Sequence, residues 1–135
     1  MAGDLAGRAD VEALLWRFYD RALTDPVLAG PFAGLREAGL ASHIPVMCDF
    51  WETVLFRAGL YQGSALIVHR AIHARHRLSA AHFVRWLTLW HSTVDEMYRG
   101  PHADRAKIQA GRIAKAMHRR LSGGDAAELD ALVAC

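Results

Sequence analysis

The sequence predicts an all-α fold. Apolar residues recur at offsets of three and four through most of the chain, the spacing of one helix face. No segment shows the strict alternation or the β-branched runs that strands need. The interruptions are glycine and proline positions set between long periodic stretches. With 135 residues, of which 53% are hydrophobic, the chain is one domain's length. It can bury roughly two-thirds of its unfolded surface without disulfides.

The elements follow in order. Over residues 10–24, Val11, Leu14, Leu15, Phe18 and Ala22 form one apolar face; Asp10 reads as its N-cap, and Asp25-Pro26 breaks the pattern. Residues 27–32 read as a short apolar connector broken at Gly30 and Pro31. A second helix carries Ile44, Met47, Cys48, Trp51 and Leu55, with Ser42 as its cap and Pro45 in the first turn, where proline is tolerated. Gly59 and Gly63 bracket a loop around Tyr61, and a histidine-rich segment runs from 65 to about 77. Ser79 caps a third strong helix that reaches Tyr98 and carries Phe83, Trp86, Leu87, Trp90 and Val94. Gly100-Pro101 ends it. The last helix covers 103–121, with Ile113, Met117 and Leu121 at intervals of four, and stops at Gly123-Gly124. An Ala/Leu pattern over 125–135 adds a turn or two. The division is thus an N-terminal extension (1–9), a helical domain (10–121) and a C-terminal tail (122–135).

Charge and composition exclude several classes. The net charge is +2 with eight histidines counted neutral, and basic residues are scattered among acidic ones. The densest basic stretch, 112–120, is the wet side of an amphipathic helix, which argues against nucleic-acid binding. No apolar run is long enough to cross a membrane, and the first ten residues carry charge where a signal peptide needs an apolar stretch. A soluble, cytoplasmic protein is expected. Cys48 and Cys135 form neither CxxC nor CxxCH, which rules out covalent attachment of a c-type haem.

The informative segment is the histidine-rich one. His69, His73 and His76 lie four and three residues apart and share a face on a helix, and His82 follows at the head of the next helix. Zinc is one candidate, but Arg70 stands where HExxH requires glutamate, and no thiolate pair is near in sequence. A polar helix face with no ligand is another; it makes the chain a cofactor-free helical interaction domain. Against that, a short polar helix lies between two apolar, aromatic-rich helices and has little surface to pack on either. A large flat apolar ligand fills such a gap. Haem is one: its iron takes a neutral imidazole nitrogen, and its macrocycle is buried against apolar walls. Phe32, Met47, Phe50, Trp51, Phe83 and Trp86 can supply those walls, and Arg75 or Arg77 can pair with the propionates.

These residues also carry a family likeness. Phe18-Tyr19, Asp25-Pro26, Pro31-Phe32, His43, Asp49-Phe50-Trp51, Tyr61 to Gly63 and the HFxRWL motif from His82 to Leu87 occur in that order. In this the sequence resembles a truncated haemoglobin, most closely of the third group, over nearly the whole of residues 10–121. The resemblance implies a reduced globin fold, a two-over-two helical sandwich around haem b. It implies Tyr19 and Trp86 as distal donors, His43 as the distal-gate histidine with Met47 one turn on, and Phe32 as an aromatic against the macrocycle. For the iron ligand it points two ways. The family's usual separation, counted back from Trp86, lands on His73; counted forward from Tyr61-Gln62-Gly63, it lands on His69. His73 is favoured, because the loop after Gly63 absorbs insertions cheaply. The chain departs from the family pattern at His76 and Arg77, where a leucine and a proline are common.

The resemblance implies reversible binding of dioxygen, nitric oxide or another small diatomic ligand at ferrous iron. Dioxygen on ferrous haem gains superoxide character, and Tyr19 O–H and the Trp86 indole N–H are donors to it. A hydrogen bond to a charged acceptor is worth ~1.5–3 kcal/mol, so release is slow. Slow release suits nitric oxide oxidation or peroxidase-like turnover better than oxygen delivery. A reductase partner and a monomer or weak dimer complete the expectation.

Overall fold

A computed structural model describes residues 3–56, 59, 65–124 and 129. The expected loop at Tyr61–Gly63, Cys135 and most of the C-terminal tail lie outside the described residues. Six helices appear among them: α1 (Arg8–Ala22), α2 (Ala33–Ala38), α3 (His43–Phe56), α4 (Ala65–Arg75), α5 (Ala80–Met97) and α6 (Pro101–Ser122). There is no strand among the described residues.

Two helix pairs form the body. α1 packs on α3 and α5 packs on α6, while α1 also meets α5 and α3 meets α6. The faces that the sequence spacing marks are the ones buried: Val11, Leu14, Leu15 and Phe18 on α1, Ile44, Cys48, Trp51 and Leu55 on α3, and Phe83, Leu87, Trp90 and Val94 on α5. α6 contributes small residues instead, Ala103, Ala106, Ala110, Gly111 and Ala114, which let α5 approach closely. Across that contact the Trp90 indole N–H donates to the Ala106 carbonyl at 3.2 Å. α4 differs from the others in leaning on the body through α6.

Helix starts differ in detail from the expectation. α1 begins at Arg8, and Asp10 lies inside its first turn, where its carboxylate accepts the Ala6 N–H at 2.8 Å. α2 is a six-residue helix in a stretch with no apolar periodicity, and none of its residues is buried. α5 starts as expected after Ser79, and Pro101 takes the first position of α6.

Within the expected N-terminal extension, Asp4, Leu5 and Arg8 make contacts with the helices. Leu5 is 1% exposed and sits in the core. The Asp4 carboxylate accepts the His102 and Ala103 N–H groups at 2.9 and 2.8 Å, so it caps α6 from a distance in sequence. Gly100 makes room for it: its φ is +147°, and a Cβ there would come within 2.6 Å of Asp4. Arg8 ties the same region to α3 through ion pairs with Asp49 (2.8 Å) and Glu52 (3.3 Å).

Candidate functional site

α1, α2, α3, α4, α5 and α6 all contribute to one cavity of about 640 Å³, within the range of small-molecule and cofactor pockets. Its lining includes Tyr19, Phe32, His43, Met47, Phe50, Trp51, Arg75, Phe83 and Trp86, so the residues singled out for the walls and the distal side come together. The remaining candidates for the iron-facing position separate. His69 lines the cavity; His73 is not among its lining residues.

The reason lies in the helix and its end. On α4, Val68, His69, Ile72 and Arg75 share the cavity side at helical spacing, and His73 lies off that stripe. The His73 ring turns back on the chain: its Nδ1 accepts the Leu78 N–H at 3.0 Å and closes the turn after α4. A neutral imidazole that accepts at Nδ1 carries its proton on Nε2 and has no lone pair left there. His76 packs elsewhere, on Gly30, where a Cβ would come within 2.6 Å of its Nε2.

The wall built by α1 and α3 is polar at one point. His43 Nε2 and the Tyr19 hydroxyl are hydrogen-bonded at 2.8 Å, with the ring planes near perpendicular. α1 buries Tyr19 beside Phe18, and α3 begins at His43, so the bond joins the last turn of one helix to the first residue of another. Burial raises the Tyr19 pKa, so the group stays a neutral O–H donor. Burial, and then the positive charge that His69 can carry, push His43 below its ordinary value, so its imidazole is neutral near pH 7.

Aromatic packing stiffens the wall behind this pair. Trp51 stacks on Trp90 with centroids 4.6 Å apart and planes at 18°, and Trp86 lies parallel to Trp90 at 6.2 Å. Phe18 meets both Trp86 and Trp90 edge-on. Stacked and edge-on pairs are the favoured geometries of aromatic rings, worth ~0.5–1.5 kcal/mol beyond their buried area.

An ion pair joins two of the sequence motifs, Asp25-Pro26 and the one from His82 to Leu87. Asp25, 5% exposed, receives the Arg85 Nε–H at 2.6 Å and the Val27 N–H at 3.0 Å. It thereby fixes the 25–32 turn, which carries Leu28, Pro31 and Phe32 to the cavity, against α5, which carries Trp86. Burial alone would raise the Asp25 carboxyl, but the Arg85 bond and the Val27 and Leu28 amides hold it below its ordinary value.

Several lining residues escaped the sequence reading as site residues: Phe18, Ile72, Leu78, His82, Ile113 and Met117. Ile113 and Met117 were legible as an apolar face of the last helix, though not as one that opens on a cavity. Ile72 carries a usable signal, lying three residues after His69. The His82 ring is fixed as the cap partner of α5, its Nδ1 accepting the Ser79 N–H at 2.9 Å. Among the described residues no three of His, Cys, Asp and Glu gather to hold a metal ion. No helix there is long and apolar enough to cross a membrane.

No protein-family model matches the chain, and no curated protein matches it. Among solved structures, the group III truncated haemoglobin of Campylobacter jejuni is similar at a TM-score of 0.80 and 20% identity, over 93% of this chain and 100% of that one. At that identity the likeness is one of fold. The chain has the reduced globin fold of a truncated haemoglobin, with α1/α3 and α5/α6 as its two helix pairs.

Proposed function

We propose that this chain is a b-type haem protein that binds dioxygen and other diatomic gases and releases them slowly, with His69 as the proximal ligand. The observation that carries this reading is the pairing, in one apolar cavity, of an imidazole on α4 with the hydrogen-bonded Tyr19–His43 pair on α1 and α3. The donor set fits the group. A cofactor of this kind needs one neutral imidazole nitrogen and a large apolar enclosure, and the lining is aromatic and aliphatic apart from a few polar groups.

Phe32, Met47, Phe50 and Phe83 would hold the macrocycle by burial, His69 would supply the axial nitrogen, and Arg75 would pair with a propionate carboxylate. His73, the other candidate, is set aside because its Nδ1 accepts the Leu78 amide and its Nε2 holds the proton. Haem, when bound, would supply a ferrous iron with affinity for diatomic gases. Everything else is done by the side chains. Tyr19 O–H and the Trp86 indole N–H would donate to the gas on the distal side, and the stacked tryptophans would keep water and larger molecules out of it.

Two donors to one charged acceptor, each worth ~1.5–3 kcal/mol, slow release by orders of magnitude. Slow release favours chemistry on the held ligand, nitric oxide oxidation or peroxidase-like turnover, over oxygen delivery. Such turnover leaves ferric protein and calls for a reductase. The deciding experiment is an absorption spectrum of the purified protein titrated with hemin. A Soret band that saturates at one hemin per chain and shifts on reduction and carbon monoxide addition is expected. A folded protein that gives only the spectrum of free hemin refutes the proposal.

A further inference from the structure

Two imidazoles hold the turn between α4 and α5. The Leu78 N–H donates to His73 Nδ1 at 3.0 Å, from the helix before it. The next amide, Ser79 N–H, donates to His82 Nδ1 at 2.9 Å, from the helix after it. His82 thereby takes the place that glutamate or glutamine fills in a capping box. The substitution matters, because an imidazole nitrogen has one lone pair and loses it on protonation. The turn is also a wall of the cavity: Leu78, 7% exposed, and His82 both line it.

We infer that this turn is a proton-operated latch: neutral His73 and His82 hold two consecutive amides, and protonating them releases the turn and the end of α4 from the cavity wall. An imidazolium carries N–H at both nitrogens, so each amide then faces a donor. For His82 the Ser79 hydroxyl, 3.1 Å away, can take the new proton, but the Ser79 amide still loses its acceptor. The surroundings do not favour the charged form. Between Glu52 and Asp95 the sequence has no acidic residue. The His82 ring faces that of His76 at 5.5 Å, and Arg75 and Arg77 flank His76 in sequence. His76 sits on Gly30 of the 25–32 turn, whose carboxylate, Asp25, is engaged by Arg85. α6, on which α4 leans, carries Arg112, Lys115, His118 and Arg119, and no carboxylate after Asp104. Burial, and then the charge that His76 can carry, push His82 below its ordinary value, so the latch is closed at neutral pH. With the folded value lowered, the contribution of His82 is complete above about pH 6.5 and is lost as pH falls through the lowered value. The latch does not depend on what the cavity holds. In the haem-protein reading it would loosen the helix that carries His69.

The test is residue-resolved hydrogen exchange of the full chain at about pH 7.5 and about pH 5, either side of the ordinary histidine value, with protection referred to the unfolded-chain rate at each pH. Protection of the Leu78 and Ser79 amides should fall about tenfold on acidification, while the amides of α6 keep theirs. His73→Asn places an oxygen that does not titrate near the position of Nδ1, and it should remove the fall at Leu78 and leave it at Ser79. His82→Gln restores the ordinary capping box and should do the converse. The double variant should hold both amides at both pH values. Equal protection of the wild-type amides at the two pH values would overturn the proposal. So would a fall that persists in the double variant, or one that α6 shares in full, since acid would then be unfolding the whole domain. If the double variant does not fold, the single variants decide, and a fall at both amides in each of them counts against the latch. The readout needs no haem, so a chain without a Soret band can still support this inference. A haem-loaded chain with pH-independent protection defeats it alone.

Discussion

The two sides of the cavity are built differently. The side made by α1, α3 and α5 is held in place by the protein core: Phe18, Trp51 and Trp90 are buried, Asp25 and Arg85 pin the 25–32 turn to α5, and Tyr19 is bonded to His43. The side made by α4 leans on α6, Val68 is 56% exposed, and the helix ends in a turn closed by the His73 ring. Apolar burial in the core holds the first side. On α4 the stripe of Val68, His69, Ile72 and Arg75 lines the cavity, and in the proposed function the cofactor completes its packing. In that proposal the side that discriminates between ligands is built into the core, and the side that ligates gains packing on binding.

The largest expected effect tests this contrast directly. His69→Ala should abolish stoichiometric haem retention, and His73→Ala should leave it intact while costing about 1 kcal/mol through the lost acceptor for the Leu78 amide. Soret absorbance after gel filtration reads the first, and a denaturant melt reads the second. Retention lost with His73 and kept without His69 would reverse the assignment.

Next in size is the effect of binding on α4. A ligand present at a thousandfold excess over its Kd stabilises the folded state by about 4 kcal/mol. In the proposed function the cofactor completes the packing of α4, so its Arg70 and Arg75 sites should become resistant to trypsin on hemin addition. Exposed Arg17 and Arg112, on helices already packed, should change little. Uniform protection along the chain would show that the two sides fold as one unit.

Smaller, but specific to the prebuilt side, are the distal donors. Tyr19→Phe and Trp86→Phe should each speed dioxygen dissociation about ten- to a hundredfold, with haem affinity nearly unchanged. Stopped-flow displacement by carbon monoxide measures it. A rate unchanged in both would remove the proposed donor pair.

The smallest effect concerns the Asp25–Arg85 pair. Asp25 titrates below its ordinary value when folded, so its contribution is present above the usual carboxylate range and is lost as pH falls through the lowered value. With Arg85 43% exposed, solvent screening limits the pair to about 1 kcal/mol. Arg85→Met should lower stability by that amount at pH 7, with the difference shrinking below about pH 4. Melts at several pH values check it, and a pH-independent difference would trace the loss to packing alone.

Much of the helical frame was legible because buried faces leave a period in the sequence. Phe18, Cys48, Trp51, Phe83 and Trp90 lie on such faces and are all in the core or against it. Leu5 and Asp4 were not legible: a residue that caps α6 from ninety-odd positions away leaves no local pattern. α2 was missed for the same kind of reason, since a six-residue helix that buries nothing has no face to show. The wall residues Phe32, Met47 and Phe83 could be named from their spacing and their likeness to a family.

What the sequence determined by itself is the all-helical frame and the kinds of side chain the cavity would hold, because periodicity and residue chemistry are local properties. Which imidazole meets the cavity was decided only in three dimensions. His69 and His73 are one turn apart on the same short helix and look alike in sequence. The Leu78 amide, brought back by the turn after α4, occupies the Nδ1 of one and leaves the other facing inward.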